Sequence, residues 1–272
     1  MPARGSEGGR ASLDPFEVDE VPTKVPANVF LARKRTLKMQ LVLVSHTKNP
    51  LASDPVLERI ASVIEEQLAL HYAAFWQSSG VPFVFAKPDK VRATDSPLVV
   101  FDDADQAGAL GYHDVTPDGL PYGKIFLGPI LENGGTILEG STSLSATISH
   151  EALELVGDPY ANAWHDMPDG KTEECRELCD RVENDAYVMD GVSVSNFLGP
   201  RAFRAGPGPY DWMRLLRDPW EIRPGGYVIR RTGGPAGKVD NVWGEKYPLW
   251  KLPGKKHPAS RTFKRISMER RS

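Results

Sequence analysis

The sequence predicts an α+β fold with a mixed sheet and two main helices. Short apolar runs bounded by polar or turn-forming residues indicate buried strands, and two longer segments repeat apolar residues every three or four positions, as amphipathic helices do. The composition fits a globular protein, since 40% of the 272 residues are hydrophobic, 25% are charged and the formal net charge is -3. Because the chain has only two cysteines, we expect a core that folds without disulfides.

The first part of the predicted core contains three strands and one long helix. Asp54 offers an N-cap and Pro55 suits the start of a helix, so the apolar spacing predicts a helix over residues 55–78. Short apolar runs predict strands at 39–45, 81–85 and 97–101.

A second helix follows a turn-rich region. Residues 111–123 are rich in turn formers, and residues 124–127 indicate a strand at the edge of the sheet because Gly128 and Pro129 end it. Ser143 or Ser145 can cap the second helix, which ends near residue 157. Later elements are a hairpin at 187–194 that turns at 190–191, a loop at 199–226 and a strand at 227–231.

Four segments organise the chain. Residues 1–37 indicate an extended arm, with a disordered tail as the alternative, and residues 38–198 hold the core. Residues 199–250 indicate an irregular, loop-rich extension that packs on the core. Residues 251–272 form a basic tail with eight Lys and Arg against one Glu, which predicts either contact with DNA or a solvated or partner-bound tail.

Several classes of function are excluded by what the sequence does not contain. Its apolar runs are far shorter than the roughly 20 residues that span a bilayer, so no membrane contact is predicted. It also has no glycine-rich phosphate loop and no nucleophilic serine elbow. Nucleotide binding at such a loop and serine hydrolase chemistry are therefore not expected.

The chemically informative motif is His150-Glu151-Ala152-Leu153-Glu154 in the second helix. His150 and Glu154 are four residues apart, so both project from one helical face and can bind the same metal ion. In the related H-E-x-x-H motif of zinc enzymes, the intervening glutamate is the general base, and Glu151 occupies that position here. The predicted order of elements before this helix resembles the zincin fold, in which an edge strand precedes the metal-binding helix.

A longer set of motifs resembles an uncharacterised protein family of tailed phages and prophages. The likeness covers about residues 95–230 and includes the runs 110–124, 149–159, 177–180, 182–197 and 222–227. This resemblance implies a zincin-like metal site and a phage context, but it implies no particular reaction.

The resemblance also implies a ligand set. His150 and Glu154 are the two helix ligands, and Glu177 is the predicted third ligand, with Asp180 as its competitor or as a supporting partner. His113 is an alternative ligand from the loop before the edge strand. Asp158 is expected to brace the turn after the helix, and Cys179 is expected to be a plain thiol packed near the site.

The predicted ligands indicate which metal would bind and how strongly it would acidify a bound water. One histidine and two carboxylates favour a hard divalent ion, so Zn²⁺ is predicted with Ca²⁺ and Mn²⁺ as alternatives. Two negative charges on the ion weaken its acidification of a bound water, which disfavours hydrolysis.

Two functions therefore remain open. The first, which we favour, is a phage virion or assembly protein of the head, neck or tail that works in an oligomeric assembly with other phage structural proteins and retains the metal site. We would then expect it in the virion and, during assembly, in the host bacterial cytoplasm. The second is a metal-dependent, peptidase-like hydrolase in which Glu151 activates a metal-bound water.

Overall fold

The protein has an α+β fold, as the sequence predicted. A computed structural model describes residues 39–106 and 108–244. Within these residues, strands form one five-stranded sheet, one four-stranded sheet and one hairpin.

The five-stranded sheet is mixed. Its strands are β1 (Leu41–Ser45), β2 (Phe83–Phe85), β3 (Ser96–Phe101), β4 (Gly111–Val115) and β5 (Pro121–Phe126). They lie in the order β2-β1-β3-β5-β4, and all neighbours are parallel except β4, which pairs with β5 in the antiparallel direction.

The strand predicted at 124–127 is present as part of β5, but its predicted position at the edge of the sheet is wrong. The edge of the sheet is β4, which lies in the region predicted to be turn-rich, and β5 is the second strand from that edge. The turn residues between 116 and 120 do form a turn, with Thr116 N donating to Leu120 O at 2.9 Å, but they close a hairpin. The sequence does not reveal β4 because the strand is only five residues long and mixes polar with apolar residues. Four of its five residues are buried, so burial does not alternate along the strand.

Two helical segments pack against one face of this sheet. The first comprises α1 (Asp54–Glu66), a π-helical turn (Gln67–Tyr72) and α2 (Ala73–Trp76); the second main helix is α4 (Leu144–Gly157), and a short α3 (Leu127–Glu132) precedes it. The first helix matches the prediction closely, but its N-cap is Ser53 instead of Asp54, because Asp54 already has a helical backbone. Leu41 and Leu43 face the helices, whereas Val42 points to the other side, as the two-residue period of a strand requires.

A second sheet forms beyond α4. Its strands are β6 (Trp164–Asp166), β7 (Thr172–Cys175), β10 (Tyr227–Thr232) and β11 (Lys238–Trp243), in the order β11-β10-β7-β6. The predicted hairpin is present as β8 (Ala186–Met189) and β9 (Val192–Ser195). Phe203, Tyr210 and Leu216 from the loop-rich extension belong to the main core cluster.

A buried polar network ties the two main helices to the hairpin. The Gln67 side-chain amide donates to Ser195 O at 2.9 Å, and the Ser149 hydroxyl donates to Gln67 Oε1 at 2.7 Å. Ser195 N in turn donates to Ser149 Oγ at 3.0 Å. This network holds α4 at the residue directly before His150.

Two of the predicted segments lie outside the described residues, namely the arm at 1–37 and the basic tail at 251–272. Among the residues that the structure does describe, no helix is both long enough and apolar enough to cross a membrane.

Candidate metal centre

Helix α4 carries three of the predicted site residues into the interior. Ser143 caps the helix, since its Oγ accepts a hydrogen bond from Ala146 N at 3.1 Å. The helix is buried along almost its whole length, so His150, Glu151 and Glu154 are all buried. The structure therefore encloses this motif instead of placing it on a solvated helix face.

The edge strand β4 supplies the second histidine. Gly111 and His113 are two residues apart on β4, so both face α4, while Tyr112 faces the opposite side. A side chain at Gly111 would place its Cβ 2.9 Å from Glu151 Oε1, which is too close for an unstrained contact. The glycine thus allows β4 and the Glu151 carboxylate to approach one another.

The segment after β7 closes the cluster from a third direction. It brings Glu177, Cys179 and Asp180 into the interior, and all three are at most 3% exposed. Cys179 N donates to Glu154 Oε1 at 3.3 Å, and the Cys179 thiol contacts His150 O at 3.7 Å. The thiol lies near the site, as predicted, and burial raises its pKa.

Two groups of donor atoms meet at Glu154. On one side, His150 Nε2 lies 3.1 Å from Glu154 Oε1 and 3.2 Å from Asp180 Oδ1. On the other side, His113 Nδ1 lies 3.4 Å from Glu154 Oε2 and 3.7 Å from Glu151 Oε2. Glu177 Oε2 lies 3.8 Å from the second ring nitrogen of His113, Nε2.

The carboxylates dominate the electrostatics of both histidines. Burial by itself lowers the pKa of His113, but the carboxylates of Glu177, Glu151 and Glu154 outweigh it and hold that pKa well above 6.5. The same balance of burial against Glu154 and Asp180 raises the pKa of His150 well above 6.5. Each imidazole therefore lies in a strongly negative environment, which also attracts a metal cation.

The donor atoms around Glu154 are buried and close enough together to hold a metal ion. Within the described part of the chain, the two ring nitrogens of His113 and Nε2 of His150 are buried and make no contact with the geometry of a hydrogen bond. Donor atoms of His150, Glu154 and Cys179 lie within 4.8 Å of one another, and so do those of His113, Glu151 and Glu154. Buried His, Glu and Cys groups of this kind could hold a metal ion.

The other three residues that the sequence predicted for the site, Glu177, Asp180 and Asp158, lie in different places. Asp180 is the carboxylate beside His150, whereas Glu177, the predicted third ligand, lies beside His113. Asp158 accepts a hydrogen bond from Ala163 N at 2.9 Å and so braces the turn after α4, as its position predicted.

Two features that hold the centre in place could not be predicted from the sequence. The close approach at Gly111 and the network through Gln67 have no local signature in the sequence. An available signal for β4 was the run 116–120, Thr-Pro-Asp-Gly-Leu, which is typical of a hairpin turn between two short strands.

Comparisons of the chain with protein-family models, with curated proteins and with solved structures gave no match.

Proposed function

We propose that this chain is a structural metal-binding protein whose buried centre ties α4 to the segment 177–180, beside β4. The observation that carries the proposal is the burial of the centre. The side chains of His113, Glu151, Glu154 and Asp180 are at most 2% exposed, and that of His150 is 10% exposed. Structural metal sites are closed by protein ligands, whereas catalytic sites keep a position open to substrate.

The ion is proposed to bind His150 and Glu154, whose donor atoms lie within 4.8 Å of each other and of the Cys179 thiol. It is also proposed to bind Asp180, whose Oδ1 lies 3.2 Å from His150 Nε2. Asp180 would have to move toward Glu154 to complete this set, because it does not belong to the group of donor atoms that lie within 4.8 Å of one another. Donor atoms on a tetrahedral ion with bonds of 2.0–2.1 Å lie about 3.3–3.4 Å apart. The separations of 3.1 and 3.2 Å from His150 Nε2 are close to this value. Zn²⁺ suits such a site, and Ca²⁺ or Mn²⁺ is the alternative because two of the three donors are carboxylates. When bound, the ion supplies a cross-link between secondary-structure elements.

The wider setting we propose is the assembly of a tailed-phage particle around a zincin-like fold. Two observations support it: the motif resemblance over residues 95–230, and a mixed sheet whose antiparallel edge strand precedes the H-E-x-x-E helix. In this setting the partners are other phage structural proteins, and the location is the virion or the host cytoplasm during assembly. DNA contact by the tail at 251–272 remains a prediction.

A hydrolase is the second candidate. Glu151 favours it, because this carboxylate lies in the cluster at the position where a zinc peptidase has its general base. In that function Glu151 would take a proton from the attacking nucleophile. Its side chain is only 2% exposed, however, so a substrate could reach it only after the edge strand or its surroundings moved.

The metal proposal is tested by elemental analysis and thermal unfolding of the purified protein. We expect bound metal in the wild type, a lower metal content in His150→Ala and Glu154→Ala, and a lower Tm for the wild type after chelation. Glu65→Gln is a matched control, because Glu65 is an exposed glutamate on α1. Metal content that is the same in all four proteins, or a Tm that does not respond to chelation, would contradict the proposal.

The assembly role is tested on particles purified from a strain that carries the gene. We expect the protein to co-sediment with particles in a fixed ratio, and truncation of residues 1–30 and 251–272 to reduce its incorporation. Glu151→Gln separates the two functions: a variant that keeps the ion at His150 and still assembles supports the structural role. Loss of a peptidase activity in that variant, with the metal retained, would support the hydrolase instead.

A further inference from the structure

We propose that the centre is binuclear, with Glu154 as a bridging carboxylate between two divalent ions. This inference rests on the proposed metal site at His150 and adds a second position, held by His113, Glu151 and Glu154. The second position uses the edge strand that the sequence alone did not predict.

The two oxygens of Glu154 face different histidines. Oε1 lies 3.1 Å from His150 Nε2, and Oε2 lies 3.4 Å from His113 Nδ1. Each histidine is matched by a further carboxylate, Asp180 on the first side and Glu151 on the second. A single ion at His150 and Asp180 would use only one oxygen of Glu154 and would leave the His113 group without a function.

The spacing of the second group also suits one ion. His113 Nδ1 is 3.4 Å from Glu154 Oε2 and 3.7 Å from Glu151 Oε2. These separations lie at or slightly above the roughly 3.3–3.4 Å expected between ligands of a tetrahedral ion, and they exceed the usual length of a hydrogen bond. The side chain of His113 is 2% exposed, so a buried imidazole faces this carboxylate pair without the geometry of a hydrogen bond in the described structure.

Glu177 is then a positioning residue for His113. Its Oε2 lies 3.8 Å from Nε2, the ring nitrogen that faces away from the Glu151 and Glu154 pair. At 3.8 Å this contact is longer than a hydrogen bond, so Glu177 acts on the ring through its charge; if metal binding brings the two groups within hydrogen-bond distance, the carboxylate would also fix the tautomer and the ring orientation of the ligand. This assigns Glu177 a role beside the metal, instead of the direct ligand role that the sequence predicted.

Formal charge agrees with two ions. Glu151, Glu154, Glu177 and Asp180 bring four carboxylates into the cluster, and the two histidines are neutral when they bind metal. Two divalent ions bring four positive charges. Each position offers one imidazole nitrogen and two carboxylate oxygens, a donor set that accepts Zn²⁺ or Mn²⁺.

The test is the stoichiometry of Zn²⁺ in the full-length protein, measured by native mass spectrometry after equilibration with a Zn²⁺ buffer. We expect about two equivalents in the wild type and in the Glu65→Gln control. Asp180→Asn and Glu151→Gln should each keep about one equivalent, because each removes a ligand from one position only. Glu154→Gln should weaken both positions.

A second readout reports the distance between the ions instead of their number. In the Mn²⁺-loaded wild type, a bridged pair should give the electron paramagnetic resonance spectrum of two coupled ions. Glu151→Gln should give the spectrum of an isolated ion. Near-ultraviolet circular dichroism checks that each variant keeps its tertiary packing.

The outcomes separate this inference from the proposed function. If the wild type binds only one equivalent of Zn²⁺, and that ion is lost in Asp180→Asn but kept in Glu151→Gln, the binuclear centre is overturned and the single site stands. A second equivalent that persists in Glu151→Gln would place the extra ion elsewhere and also overturn the inference. Absence of metal from every sample would overturn both proposals.

Discussion

Replacing Ser149 by alanine should destabilise the protein far more than the loss of one hydroxyl on a surface would. Ser149 is fully buried, and its hydroxyl donates to Gln67 Oε1 at 2.7 Å while accepting from Ser195 N at 3.0 Å. The variant leaves a buried amide oxygen and a buried backbone N–H without these partners. Each such group costs about 1–3 kcal/mol, so we expect a loss of about 2–6 kcal/mol.

Urea and thermal unfolding measure this loss. For a domain of 150–250 residues, 1 kcal/mol lowers the Tm by about 2–4 °C, so the Tm of Ser149→Ala should fall by at least about 4 °C and by up to about 24 °C. Chelator is kept in all buffers, so that a change in metal binding does not contribute. Ser62→Ala is the control, because Ser62 is an exposed serine on α1, and its effect should stay within about 0.5 kcal/mol.

A double-mutant cycle with Gln67→Leu tests the cause. If the two side chains act through one network, the double variant should lose less stability than the sum of the single variants, by about 1 kcal/mol or more. Two results would refute the reasoning: an effect of Ser149→Ala as small as that of Ser62→Ala, or strict additivity in the cycle.

Three further predictions concern packing, pH and metal. Gly157→Ala should cost about 1–3 kcal/mol in urea unfolding, because the added methyl group would overlap the fully buried side chain of Leu178, and a wild-type midpoint would contradict this. Burial, together with the nearby Arg176 guanidinium, lowers the pKa of His165 to about 4. The unfolded state therefore takes up a proton first, so stability should fall as pH drops from about 6.5 to about 4, and less so in His165→Gln. Metal binding should release protons and weaken progressively as the pH falls, because the raised pKa values of both site histidines make protons compete with the metal; titration in two buffers of different ionisation enthalpy measures the release.

The helical half of the centre could be read from the sequence because its geometry is local. The four-residue spacing of His150 and Glu154 places both on one face of any α-helix, and Ser143 marks where that helix begins. The hairpin turn at Asp190 and Gly191 was predictable for the same reason, since both residues tolerate the positive φ that the turn requires.

The other half of the centre was decided by tertiary structure. His113 reaches α4 only because β4 pairs antiparallel with β5 at the edge of the sheet and because Gly111 leaves room for Glu151. A short strand that is buried on both faces has no clear hydrophobic period, so the turn residues could be predicted and the strand could not.

The division of Glu177 and Asp180 between the two histidines has a similar origin. These residues are three apart in an irregular segment, and no helical or strand period fixes where their side chains point. The sequence by itself determined an α+β fold with a helix that presents His150 and Glu154 together. Only the packing of β4 and the segment 177–180 against that helix decided which carboxylate meets which imidazole, because those contacts join residues far apart in the chain.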